Sequence, residues 1–112
     1  MKVQKPWGHE IRWAITDKYL GKILHINAGH QLSLQYHEVK DESIYVLEGT
    51  LIVKDGERAT ILEQGDSMRI QPGTIHRFCA PNMTHVKLVE VSTPEIDDVV
   101  RLEDDYNRET KQ

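Results

Sequence analysis

The chain has 112 residues and a formal net charge of -4, from 18 acidic side chains against 14 lysines and arginines. That length holds one domain with one modest core, and an acidic balance with no basic block excludes a nucleic-acid surface, which needs clustered cations. The longest apolar run, residues 44–47, is too short to span a membrane, and a single cysteine, Cys79, excludes an internal disulfide. Residues 1–8 carry charge with no apolar stretch behind them, so no signal peptide is expected. A reducing, cytoplasmic setting is expected on these grounds.

Residues 1–12 are polar around Lys5, Pro6, Trp7 and Gly8 and read as an extended arm docked through Trp7. Residues 11–15, with Trp13 among them, read as a first strand, and Asp17, Lys18 and Gly21 mark a hairpin turn. Across 22–28, Lys22, Leu24, Ile26 and Ala28 share one face, while Ile23, His25 and Asn27 share the other. A turn at Gly29 and His30 follows. Residues 31–37 then alternate cleanly, with Gln31, Ser33, Gln35 and His37 on one face and Leu32, Leu34 and Tyr36 on the opposite one. Were the leucine face alone buried, Gln35 and His37 would stand idle in solvent. If both faces are covered, the polar one lines a cavity.

Lys40 and Asp41 form a loop, and a strand from Glu42 places Glu42, Ile44, Val46 and Glu48 on one face before Gly49 ends it. Residues 50–54 make a short strand. Asp55-Gly56 is the strongest hairpin signal in the chain, and residues 58–62 return from it. Gln64, Gly65 and Asp66 turn the chain into a strand at 67–70. Pro72-Gly73 turns it again into 75–80, which Pro81 and Asn82 break. In the last strand, 84–92, Val86, Leu88 and Glu90 alternate against Lys87, Val89 and Val91. Beyond Glu95 the tail is acidic, with Val99, Val100, Leu102 and Tyr106 able to anchor a short helix or a surface strap. About nine short strands without a long helix predict an all-β sandwich or barrel in a single domain. Its core would span 20–92, flanked by the arm at 1–12 and the strap at 95–112.

Four side chains in this pattern are metal-ligand types. Gln35 and His37 lie two apart on one strand and so point the same way; Glu42 begins the partner strand; His76 arrives from a separate hairpin. A mixed nitrogen and oxygen set of this kind suits Zn²⁺, Mn²⁺, Fe²⁺ or Ni²⁺. His25, His30 and His85 are expected to be surface or hydrogen-bonded residues, Trp7 and Trp13 packing residues, and Cys79 a small buried hydrophobe. Glu48 is expected either to pair with a cation or to stand exposed beside Gly49, and residues 103–105 form a solvated acidic face.

The succession Gly29, Gln35, His37, Glu42, Gly49, followed by Gly65, Gln71, Gly73 and His76, resembles the two motifs of the cupin superfamily. Gln35 stands where the first motif usually has histidine, Gln71 where the second has proline, and Ala80 where it has asparagine. Three further stretches look like the type II mannose-6-phosphate isomerase module, here read as a stand-alone domain. They are Lys5-Pro6-Trp7-Gly8, Leu32-Ser33-Leu34-Gln35-Tyr36-His37 and the tail from Val99 to Arg108. In that family a glutamine is the first ligand.

The resemblance implies a cupin jelly-roll barrel, or double-stranded β-helix. It implies a divalent metal on Gln35, His37, Glu42 and His76, and isomerisation of a small-molecule sugar phosphate by proton transfer through an enediol. Lys22 shares a face with Leu24 and Ile26 and so points toward the barrel mouth. Together with Arg77 and Arg108 it is a candidate catalytic-site contact for phosphate or hydroxyl groups. A redox-metal dioxygenase and a non-catalytic sugar-binding module are the competing readings. A homodimer is expected, because a small barrel leaves sheet edges and an apolar outer face, here Leu32, Leu34 and Tyr36, to be covered. The Trp7 arm is expected to cross to the partner.

Overall fold

Alternation with a period of two runs through most of the chain, and the backbone follows it. A computed structural model describes residues 1–106, in which eleven strands and no helix occur. They are β1 (Lys2–Lys5), β2 (Gly8–Ile15), β3 (Leu20–Ile26), β4 (Leu34–Tyr36), β5 (Glu42–Glu48), β6 (Leu51–Lys54), β7 (Ala59–Leu62), β8 (Ser67–Ile70), β9 (Arg77–Cys79), β10 (Val86–Ser92) and β11 (Val100–Glu103). Six form one antiparallel sheet in the order β1-β2-β3-β10-β5-β8. The second wall is made of β7-β6-β9 and the pair β11-β4. Isolated bridges, Gln31 to Cys79 and Gln35 to His76, stitch those two pieces together. The walls pack face to face as a jelly-roll barrel.

The core explains the pairing. Leu24 and Ile26 of β3, Ile44 and Val46 of β5, and Val86 and Leu88 of β10 point inward from the large sheet. Leu51, Val53, Leu62 and Phe78 meet them from the other wall. The same inward faces carry Lys22, Glu42 and Glu90 at their other ends, and these are buried too. Each central strand therefore runs from an apolar end to a charged end along one face.

Several sequence expectations are refined. The N-terminal segment is a paired strand rather than a loose arm: β1 pairs with β2, and Trp7 at their turn is core, 3% exposed. Gly21 belongs to β3 rather than to a turn. The turn lies earlier, where Thr16 and Tyr19 bond across it. Gly21 is needed because the Trp13 ring lies flat over it, so that a Cβ there would stand 2.5 Å from a ring carbon. The C-terminal strap is a strand, β11, laid against β4, and Tyr106 packs on the core behind it. Leu32 is also core rather than outer surface, and Leu34 and Tyr36 are half-buried. The exposed apolar side chains Trp13, Ile15, Tyr45, Leu47 and Val91 lie instead on the six-stranded sheet. Among the described residues no helix is long and apolar enough to cross a membrane.

Candidate metal centre

At the charged end of the barrel, strand ends from both walls converge. Glu42 opens β5, His37 lies just past β4, and His76 just before β9. A reciprocal pair of backbone hydrogen bonds between Gln35 and His76, 2.9 and 2.8 Å long, fixes the last two segments side by side. The ligand atoms of His37, Glu42 and His76 all lie within 4.8 Å of one another, and all three residues are buried. Glu42 Oε1 is 3.1 Å from His37 Nε2 and 3.4 Å from His76 Nε2.

The far nitrogen of each ring is already committed. His76 Nδ1 donates to the Thr74 carbonyl at 2.9 Å, and His37 Nδ1 to the Asp98 carbonyl. Both Nε2 atoms are thereby turned toward the carboxylate, the usual arrangement of a metal-ligating histidine with its outer nitrogen anchored. Glu42 Oε2 and His76 Nε2 are buried with no hydrogen-bond partner. Buried polar atoms are rarely left so, and a cation on the two Nε2 atoms and the carboxylate would satisfy them. The donor set therefore fits a divalent ion. Gln35 lines the same cavity, and its side-chain oxygen accepts from Ser33 Oγ at 2.6 Å.

The electrostatics reinforce the convergence. Burial alone would raise the Glu42 carboxyl, but the His37 hydrogen bond, the nearby His76 ring and the charge of Lys40 hold it well below the carboxylate range. Burial opposes charge on His37, yet Glu42 outweighs it and lifts the imidazole above its ordinary value. Lys40 Nζ lies 2.9 Å from Glu90 and 3.7 Å from Glu42. Burial disfavours its charge, but the two carboxylates push its pKa up. Glu90 is pushed up to about 7, by burial first and by Glu42 second, so of the two carboxyls Glu42 is the more acidic.

The three nominated cations part company. Lys22 lines the cavity, with Nζ 3.3 Å from Glu10. Arg77 faces elsewhere: its Nε donates to the Leu32 carbonyl at 2.9 Å and a terminal nitrogen to the Glu103 carbonyl, while Glu103 and Asp105 sit 3.5 and 3.9 Å away. It clamps the C-terminal strap, and it is absent from the cavity wall. The acidic face at 103–105 is in part its counter-charge. Arg108 lies outside the described residues.

Four residues that shape the site were not nominated from sequence. Glu90 had a signal, a carboxylate continuing the inward face of Val86 and Leu88. Glu10 and Lys40 sat in stretches read as arm and loop. Asp98 had none, although its carboxylate accepts the backbone N–H groups of Glu38, Val39 and Lys40 at 3.0, 2.8 and 2.8 Å while its carbonyl takes His37. It sets the loop that presents both His37 and Lys40.

Comparison with known proteins converges with the geometry. Residues 1–104 match the family model described as mannose-6-phosphate isomerase C-terminal. The xanthan biosynthesis protein XanB of Xanthomonas campestris is 34% identical over 110 residues, covering 96% of this chain and 24% of that protein. The mannose-1-phosphate guanylyltransferase RfbM of Salmonella typhimurium is 32% identical over 108 residues, covering 91% and 22%. The chain thus spans about a quarter of the length of the curated relatives it matches. Among solved structures, KdgF from a Halomonas species superposes with a TM-score of 0.74 at 20% identity, covering 83% of this chain and 85% of that one. A cupin-superfamily sugar phosphate isomerase from Silicibacter pomeroyi gives 0.69 at 22%, covering 76% and 58%. At those identities the two structures speak for the fold.

Proposed function

The chain belongs to the mannose-6-phosphate isomerase C-terminal family, and on that premise we propose that it is a metal-dependent isomerase of a phosphorylated sugar, acting in the cytoplasm. The observation that carries the reading is the meeting of His37, Glu42 and His76 in a buried cluster, on a cavity of about 280 Å³ whose wall also holds Lys22 and Lys40. That is room for a monosaccharide rather than a polymer.

His37, Glu42 and His76, with Gln35 beside them, would hold the ion. When bound, a divalent cation supplies Lewis acidity at a substrate carbonyl. The protein's own residues supply the rest. Asp98 and Thr74 orient the two imidazoles through their carbonyls. Lys40 keeps positive charge against Glu42 and Glu90 inside the cavity, where water is scarce and electrostatic stabilisation of a developing enediolate is strong. The apolar end of the barrel closes the pocket below.

The test is proton exchange at the carbon next to the carbonyl. Metal-loaded protein incubated with hexose and pentose phosphates in heavy water is expected to wash deuterium in, read by proton NMR. Chelation and His76→Ala are each expected to abolish the exchange. Absence of wash-in with every sugar phosphate, at full metal loading, would leave a non-catalytic binding module.

A further inference from the structure

The outer face of the six-stranded sheet is apolar where a sheet with one wet side ordinarily turns polar side chains to water. In register across four neighbouring strands stand Ile11 of β2, Ile23 of β3, Val89 of β10 and Tyr45 of β5. Val91, opposite Gly21, and Trp13, whose ring covers Gly21, widen this row on one side. Leu47 widens it on the other. Trp13 is 54% exposed and Tyr45 47%, and Ile11, Leu47 and Val91 are exposed as well.

Trp13 is seated there at a cost to the strand beneath it. A Cβ on Gly21 would stand 2.5 Å from a ring carbon, so only glycine fits under the indole. Glycine inside a strand weakens it. The sheet thus gives up local stability to hold a tryptophan flat on its surface, half in solvent. An aromatic side chain already fixed in place has little freedom left to lose on binding and makes an interface anchor.

The dimensions and the charges of this face match a second copy of the chain. Half-exposed side chains of these sizes present on the order of 500 Å² of apolar surface. A standard interface buries about 800 Å² per partner, of which about 65% is apolar in a homodimer. Two-fold symmetry sets each group near the axis against its own kind, so the centre of such a face must be free of charge, and none of these side chains is charged. The charges that border the band are paired within the chain. Glu48 lies 2.6 Å from His85 Nε2 and 3.9 Å from Lys87 Nζ. Arg69 donates to the two oxygens of Asp41 at 3.1 and 2.6 Å. Borders of this kind offer little to a strongly charged partner and do not repel a copy of themselves.

We propose that this face docks on the same face of a second copy, isologously, with Trp13 and Tyr45 as its anchors. The cavity lies on the inward side of the same strands, and the pairing holds whether or not the chain turns over a sugar phosphate.

Sedimentation equilibrium on the full chain, from low micromolar to several hundred micromolar, is expected to give two protomers and no larger species. Tyr45→Lys and Val91→Lys, both at exposed positions, each set like charges against one another near the axis. Each is expected to weaken pairing by about a hundredfold or more, with far-ultraviolet circular dichroism unchanged. Ile61→Lys, exposed but on β7 of the other wall, is expected to leave pairing as it is. Fluorescence gives a second reading. Trp7 is core and Trp13 half-exposed, so dilution is expected to red-shift the emission of the wild type and not that of Trp13→Phe. A monomer at every concentration overturns the proposal, whatever else the face then binds. So does a dimer indifferent to Tyr45→Lys and Val91→Lys, a dimer lost equally in Ile61→Lys, or an emission shift on dilution that persists without Trp13.

Discussion

The two ends of the barrel interior are built on the same strands and the same inward faces, yet they obey opposite rules. At the closed end, Ile26, Val46, Leu51, Val86 and Leu88 are all 0% exposed and belong to one apolar cluster. At the open end, the continuation of those faces buries Lys22, Lys40, Glu42 and Glu90, with His37 and His76 beside them. Hydrophobic burial stabilises the first without requiring any particular geometry beyond close packing. The second gains little from burial, because desolvating each charge offsets much of its attraction to its partner. Its members hold together only as a matched set. The lesson is that the closed end makes the fold and the open end is what the fold carries.

The comparison predicts that removing one charge from the set does more harm than removing one apolar side chain. Lys40→Met leaves Glu42 and Glu90 without the cation between them, and is expected to lower stability by about 3–5 kcal/mol. Lys40→Met combined with Glu90→Leu is expected to recover most of it, since replacing a buried ion pair by apolar groups is often neutral. Urea denaturation of the three variants forms the cycle. A loss under about 1 kcal/mol for Lys40→Met would mean that the open end is solvated rather than a matched buried set.

Leu88→Ala at the closed end is expected to cost about 2–5 kcal/mol through lost burial and a residual cavity, toward the lower part of that range if neighbours collapse inward. Because Leu88 belongs to the apolar cluster and not to the ligand group, metal stoichiometry by atomic absorption is expected to be unchanged in the surviving folded protein. A change in stoichiometry would show that the two ends are not energetically separate.

The smallest effect lies outside the barrel. His25 stacks between His9 and His85, with ring centroids 4.8 and 4.7 Å away, and Glu48 accepts from His85 at 2.6 Å. Burial, then the positive charges of its neighbours, lower the His25 pKa below 6.5, and His9 is lowered likewise. The folded state therefore binds fewer protons than the unfolded one as pH falls through the ordinary histidine value, and stability falls with it. Denaturant midpoints from pH 7 to pH 5.5 are expected to drop more for wild type than for His25→Gln. Parallel slopes would show that the stack carries no such linkage.

Much of the barrel was legible because period-two alternation survives in single strands: the inward sets Leu24 and Ile26, Ile44 and Val46, and Val86 and Leu88 can be read from residue order alone. Gln35, His37, Glu42 and His76 could be nominated the same way, from spacing and shared faces. Arg77 was nominated as a phosphate or hydroxyl contact, while its geometry depends on a carbonyl at Leu32 and on the strap at Glu103, which residue order does not record. Pro6 and Gly8 read as punctuation in an arm docked through Trp7, because the pairing of Lys2–Lys5 with the next strand is a property of the sheet edge rather than of either segment.

Residue order by itself determined that the chain is β-rich, which side chains share a face, and that four metal-ligand types recur at strand spacing. These follow from local backbone geometry, in which side chains alternate. Only the tertiary structure decided which end of those faces closes and which opens, that His76 comes beside His37 through the Gln35 bridge, and that Asp98 from the far end of the chain aims His37. Each of these is a hydrogen bond or packing contact between segments distant in sequence. Such contacts form when two walls close on one another, and no local pattern records which partners will meet.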